Sequence, residues 1–210
     1  IKSRLITSIF LLIILFLSLL NKFIFCIILY LVISISFYEL EKILKKIQIN
    51  ENKIYFLSIL VTIIYLFFFY LILSKFFIFN SFDKFIYILT ICISTDMGGY
   101  IFGKLLKGKK LTRISPNKTY SGMFGSFIIC YLVSYILILN LNIEIKNYII
   151  ITFLISSVSQ IGDLFISYLK RLAKVKDTGS FLPGHGGLLD RIDGILFAVP
   201  FGIILLLNFN

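Results

Sequence analysis

Residues 54–73 read IYFLSILVTIIYLFFFYLIL, twenty consecutive positions without a charged side chain. As a helix such a run rises about 30 Å, the thickness of the hydrocarbon layer of a bilayer. Nothing shorter than a membrane requires a run of this kind, and it is not alone. Working outward from it, comparable apolar stretches cover 5–20, 23–38, 85–103, 123–140, 149–169 and 194–208. The whole chain agrees with that reading. Its 210 residues are 59% hydrophobic, 17% aromatic and only 15% charged, with a mean hydropathy of +1.01. Soluble domains lie near roughly 45–50% apolar and about 25% charged. An ordinary soluble domain, a disordered chain and a secreted disulfide scaffold are therefore excluded. The sequence predicts an all-α, polytopic integral membrane protein of about seven transmembrane helices, give or take one or two.

Charge placement sets the expected orientation. With seven spans and a cytoplasmic N-terminus, segments 1–4, 39–53, 104–122 and 170–193 face the cytoplasm and hold seventeen of the 21 basic residues, leaving Lys22, Lys75, Lys84 and Lys146 outside. That is the asymmetry of the positive-inside rule. The net charge of +11 then reads as topology signal and contact with anionic lipid headgroups, not as nucleic-acid binding. Cys26, Cys92 and Cys130 lie in apolar runs without metal-ligand spacing and read as packing residues. No signal-peptide cleavage pattern is present, so the first apolar run is expected to remain as a span. Residues 1–82 read as scaffold helices joined by a charged hairpin, YELEKILKKIQINENK (38–53); residues 83–210 carry the polar and glycine-rich features of a working region.

Three acids fall within or at the ends of spans: Asp96, Asp163 and Asp193. An Asp near a helix centre costs about 2.5–3.5 kcal/mol on insertion scales, so each needs a partner or a water-filled cavity. The segment 167–193, SYLKRLAKVKDTGSFLPGHGGLLDRID, begins as a helix ending in Lys170, Arg171 and Lys174. Glycines then surround His185, and Gly184, Gly186 and Gly187 let backbone N–H groups approach an anion. Asp190 and Asp193, three apart, share a helix face, with Arg191 between them offering a fork to phosphate. Basic loop 104–122 nearly spells a phosphate loop at GKLLKGKK, but Lys110 replaces the required Ser or Thr and no βαβ unit is present. Its SPNKT stretch (115–119) is more informative, joining a hydroxyl, a turn proline and Lys118 at a membrane boundary. Carboxylates for a divalent cation, basic groups for phosphates and glycines for close approach are the equipment of phosphoryl or nucleotidyl transfer; hard oxygen donors favour Mg²⁺. A serine hydrolase is excluded, since there is no serine elbow and a single His.

These residues resemble a known family. Ser167-x-x-Lys170-Arg171, Lys176-Asp177, Leu182-Pro183-Gly184-His185-Gly186-Gly187 and Asp190-Arg191-x-Asp193 look like the phosphatidate cytidylyltransferase (CDP-diacylglycerol synthase) pattern. Upstream, Ser159-Gln160-x-Gly162-Asp163-Leu164, the set Asp96, Gly99, Tyr100, Gly103 and Lys104, and Ser115-Pro116-x-Lys118-Thr119-x-x-Gly122 resemble further family stretches, so the likeness covers roughly 90–210. Asn117 and Ser121 depart from it, standing where the family usually has Lys and Glu. The chain also looks short for the family, with one or two N-terminal spans expected to be missing.

The resemblance implies a phospholipid-biosynthesis reaction at the inner membrane of a bacterium, with the site facing the cytoplasm: CTP and phosphatidate give CDP-diacylglycerol and pyrophosphate. It implies Asp163 and Asp190 as metal ligands for Mg²⁺, with a second cation allowed, and Asp193 and Asp177 as supporting ligands. Lys170, Arg171, Lys176 and Arg191 would hold phosphates, and Ser115, Lys118 and Thr119 would line the nucleotide side. His185, with Gly186 and Gly187, would contact nucleotide or phosphate. A homodimer is what the family suggests. The competing readings are a CTP-dependent lipid kinase of the polyprenol type, which transfers the γ-phosphoryl group, and a membrane transporter. A transporter is expected to show symmetrical halves with interrupted helices, which this chain lacks.

Overall fold

The computed structural model describes residues 13–14, 16–47, 52–79, 82–141, 145, 147–183 and 186–208. Six long helices account for most of them: α1 (Lys22–Lys46), α2 (Asn52–Phe79), α3 (Phe82–Leu106), α4 (Tyr120–Leu141), α5 (Tyr148–Leu172) and α6 (Leu189–Asn208). Residues 16–20 are also helical; the rest of the span expected at 5–20 lies largely outside the described residues. Among the described residues the only β features are two isolated bridges, Lys110 with Thr119 and Leu182 with Gly186. The fold is all-helical.

α1 to α5 are each long and apolar enough to cross a membrane, whereas α6 is not among those that meet that measure. The reason is visible in its sequence: Asp190, Arg191 and Asp193 occupy its first turns, and the apolar run begins only at Ile195. The helices also run past the expected spans. α1 continues eight residues past its expected end at 38, through Lys46, because the charged residues after 38 still form helix; α2 continues through Lys75 to Phe79, and α3 continues to Leu106, so the loop expected from 104 begins three residues later.

The chain divides into two compact units: Ile1–Ile78 with Leu169–Ile192, and Phe79–Tyr168 with Asp193–Asn210. In the first, Asn21 caps α1, its side chain accepting from Phe23 N at 2.8 Å. Phe25 of α1 stacks on Phe77 of α2, with centroids 3.9 Å apart.

In the second unit, lipid tails are as apolar as Leu, so close packing and interhelical hydrogen bonds must hold helices together. Both are present. Tyr87 of α3 is fully buried, and its hydroxyl meets Ser134 Oγ of α4 at 2.8 Å and Thr152 Oγ1 of α5 at 2.6 Å. One level away, Thr95 of α3 donates to Ser156 of α5 at 3.0 Å, and Ser126 of α4 donates to the Thr95 carbonyl at 2.7 Å. Close approach of α3 and α4 depends on absent side chains. A Cβ on Gly98 would lie 2.8 Å from both Gly125 O and Ser126 Cα.

Candidate active site

In the Phe79–Tyr168/Asp193–Asn210 unit, the loop between α3 and α4 is folded by its own backbone. Ser115, Pro116, Asn117 and Lys118 form a turn closed by Lys118 N donating to Ser115 O at 3.1 Å, with proline at its favoured second position. Leu111 N to Lys118 O (2.8 Å) and Tyr120 N to Lys109 O (3.0 Å) tie the two sides of the loop together. Thr119 then caps α4, its Oγ1 accepting from Gly122 N at 3.1 Å. The SPNKT stretch is thus a turn and a cap that aim Lys118 at α5.

Lys118 forms an ion pair with Asp163 of α5, each side chain one-quarter exposed. Ser167, one helical turn on, donates to the other Asp163 oxygen at 3.3 Å. This pair lies on the wall of a cavity of about 300 Å³ lined also by Asp96, Ser115, Thr119 and Gln160. Asp193 approaches from α6. It is buried, its Oδ1 accepts from Gly194 N at 2.8 Å, and its carboxyl is within electrostatic reach of Asp163 and Asp96. The glycine beside each of these acids explains how two helices bring them together. A Cβ on Gly162 would stand 3.1 Å from Asp193 O and 2.6 Å from the Phe197 ring, and one on Gly194 would stand 2.5 Å from Ser159 Oγ. Three carboxylates therefore face one region in which Lys118 is the paired cation.

In the Ile1–Ile78/Leu169–Ile192 unit, Asp190 organises the glycine-rich segment. Its Oδ1 accepts from Lys170 Nζ at 2.7 Å, with side chains only 12% (Lys170) and 9% (Asp190) exposed. Its Oδ2 accepts from Thr178 N (2.9 Å), Gly187 N (3.1 Å) and Thr178 Oγ1 (3.2 Å). Accepting from the N–H three residues earlier is the returning arm of a capping box at the start of α6. Leu182 N donates to Gly186 O at 2.9 Å, and Gly186 sits at φ +84, which a side chain would strain. Asp177 lies beside Gly186. Arg171, Lys176 and Arg191 are exposed. A second cavity, about 180 Å³, is bounded by Lys42, Lys46, Asp177, Thr178 and Ser180. His185 and Gly184 lie outside the described residues.

Of the residues expected to act together, Ser115, Lys118, Thr119, Asp163 and Asp193 share the Phe79–Tyr168/Asp193–Asn210 unit, and Lys170, Asp177, Gly186, Gly187 and Asp190 the other. Asp163 and Asp190, the expected ligand pair, belong to different units. Among the described residues no group of three or more His, Cys, Asp or Glu side chains is arranged to hold a metal ion. Sequence reasoning missed Glu39 and Thr178. Glu39 is buried in α1 and accepts from Thr178 Oγ1 at 2.7 Å, Leu188 N at 3.0 Å and Leu189 N at 2.9 Å. One signal for it exists: Glu39 shares a helix face with buried Ser36, Leu40 and Ile43, whereas Glu41 finds a partner on its own helix in Lys45.

Fold and site together define an integral membrane protein of packed apolar helices with carboxylates, a lysine and hydroxyls around a cavity. The profile of the cytidylyltransferase family matches residues 54–209, and the chain belongs to that family. It is similar to the phosphatidate cytidylyltransferase of Bacillus subtilis, 45% identical over 130 residues, covering 59% of this chain and 48% of that one. The phosphatidate cytidylyltransferases of Staphylococcus saprophyticus (44% over 117 residues, 54% and 45% covered) and Rickettsia felis (40% over 129 residues, 56% and 57% covered) are similar too. The chain spans about half the length of these relatives.

Proposed function

We propose that the protein transfers the cytidylyl group of CTP to phosphatidate, giving CDP-diacylglycerol and pyrophosphate. The observation that carries the reading is that Asp96, Asp163 and Lys118 line one cavity while Asp193 lies within electrostatic reach of both acids, in a chain whose similar relatives bear that name. In the reaction, an oxygen of the phosphatidate phosphate attacks the α-phosphorus of CTP, the bond from that phosphorus to the bridging oxygen breaks, and pyrophosphate leaves. Lys118 binds phosphate oxygens when released from Asp163, and the Ser115 hydroxyl beside it orients the nucleotide. Lys170, Arg171, Lys176 and Arg191 supply the further positive charge that four phosphate groups require. Most of the rate enhancement then comes from positioning and from fixed charge.

The donor set fits Mg²⁺. Its atoms are hard oxygens, and this ion usually takes one or two protein carboxylates together with substrate phosphates rather than a full protein cage. Asp163, with Asp193 beside it, and Asp190 are each candidates for holding it. Asp190 would offer Oδ1 once Lys170 leaves it for phosphate, since three hydrogen bonds already engage Oδ2. Bound there, the ion would neutralise charge on the triphosphate.

We propose seven spans with the N-terminus inside and a site at the cytoplasmic leaflet of a bacterial inner membrane, where a dissolved and a lipid substrate can meet; the skewed distribution of basic residues supports this orientation. The test is purified protein in detergent with Mg²⁺, phosphatidate and CTP labelled at the α-phosphate. Label passing into the lipid, abolished by EDTA, is the expected result. Label remaining in CDP would identify a lipid kinase instead.

A further inference from the structure

We propose that Glu39, on the first long helix, is a positioning residue that holds Thr178 and Gly179 against Gly187, Leu188 and Leu189, the two ends of the glycine-rich segment. Its side chain is withdrawn from solvent, and among the described residues no Lys or Arg forms an ion pair with it. A carboxylate in that situation persists only if donors replace its water. Three do. Oε1 takes the Leu188 N–H, and Oε2 takes the Leu189 N–H and the Thr178 hydroxyl. Leu188 and Leu189 open α6, so Glu39 satisfies backbone donors that a helix start leaves without partners.

The packing is fitted to this carboxylate. A Cβ on Gly187 would stand 2.5 Å from Oε2 and 1.9 Å from Thr178 Oγ1, and one on Gly179 would stand 2.5 Å from Oε1. Two of the segment's glycines are thus glycines because Glu39 occupies their space. Thr178 also joins Glu39 to the acid assigned above to the reaction. Its Oγ1 lies 2.7 Å from Glu39 Oε2 and 3.2 Å from Asp190 Oδ2, and its N–H binds the same Asp190 oxygen. The hydroxyl has one proton, directed by the shorter contact to Glu39. Moving Glu39 therefore changes both the place of the segment and the hydrogen bonding of Asp190. Gln cannot substitute: whichever way its amide is turned, its NH₂ faces a backbone N–H.

The catalytic consequence rests on the transferase reading above, and the experiment separates the two. Glu39→Gln is purified, and its monodisperse fraction is compared with the parent for hydrogen exchange over 178–189 and for kcat and KM with CTP. Expected are exchange at Leu188 and Leu189 at least tenfold faster and kcat per folded molecule at least tenfold lower, with KM changed less than kcat. Gly187→Ala, which displaces the same carboxylate without altering it, is expected to reproduce both effects and serves if Glu39→Gln does not fold. A parent that transfers no cytidylyl group would sink the transferase reading, and the exchange arm alone would then decide whether Glu39 holds the segment. An active parent with variant kcat within twofold, or unchanged exchange, would overturn the positioning role. So would loss of the fold in both variants, which would make Glu39 a determinant of folding only.

Discussion

Replacing Asp190 by Asn removes one charge from a carboxylate whose partners among the described residues are all donors: Lys170 Nζ at 2.7 Å, Thr178 N at 2.9 Å, Gly187 N at 3.1 Å and Thr178 Oγ1 at 3.2 Å. The amide can keep only one of the two oxygens. If the remaining oxygen faces the backbone donors, the new NH₂ group meets the Lys170 ammonium. If it faces Lys170, the NH₂ group meets Thr178 N–H and Gly187 N–H. Lys170 and Asp190 are both about nine-tenths buried, so water screens the pair weakly and does not rescue the orphaned partner. Breaking a buried pair from one side costs about 3–5 kcal/mol. The segment can open locally, so this loss appears as hydrogen exchange before it appears as global unfolding. Taking about 3 kcal/mol, amide exchange at Thr178 and Gly187 accelerates roughly 100-fold. The double variant with Lys170→Met removes both charges and should recover a large part of the loss, because the uncompensated ammonium is gone. The assay is exchange by mass spectrometry on detergent-purified protein, parent against Asp190→Asn, Lys170→Met and the double variant. Exchange in Asp190→Asn within threefold of the parent, or strictly additive single effects, would refute the reasoning. Loss of activity in Asp190→Asn would by itself say little about metal binding, since the residue also shapes the segment it sits in.

Asp163→Asn is the cleaner probe of chemistry. Its ion pair with Lys118 is part-exposed, so the change should cost at most about 1 kcal/mol in thermal stability while lipid-linked CMP formation falls at least 100-fold; near-normal turnover would remove Asp163 from the site. Lys118→Ala should likewise leave the melting temperature nearly unchanged and raise KM for CTP at least tenfold, measured by initial rates across CTP concentrations. Gly98→Ala should lower thermal stability by about 1–2 kcal/mol. The added methyl meets backbone atoms of α4 that cannot swing aside, and overpacking of about 1–3 kcal/mol exceeds the roughly 1 kcal/mol that Ala gains over Gly in a helix.

Much of this architecture was legible because apolar runs of membrane length have few alternative readings. α3 to α5 appear within about three residues of the runs that announced them, whereas α1 and α2 run eight and six residues further into their polar flanks, to Lys46 and Phe79. The site motifs were legible as residue types. Their division of labour was not. Thr119, expected on the nucleotide side, uses its hydroxyl to cap α4. Asp190, expected as a metal ligand, also ties Lys170 and two backbone amides into one knot. Glu39 went unnoticed inside a charged hairpin because its donors lie about 140 residues away in the chain.

By itself the amino-acid order determined that the chain is helical and membrane-embedded, and which acids and bases must be explained, because burial of apolar length and the penalty on intramembrane charge act locally. Which acid meets which base was decided only by tertiary packing. Gly162 and Gly194 let α5 and α6 approach until Asp163 and Asp193 share a field, and Glu39 reaches a glycine-lined niche that no spacing along the chain foretells. Pairing depends on distances across helix interfaces, and those are set by the side chains that are missing as much as by those present.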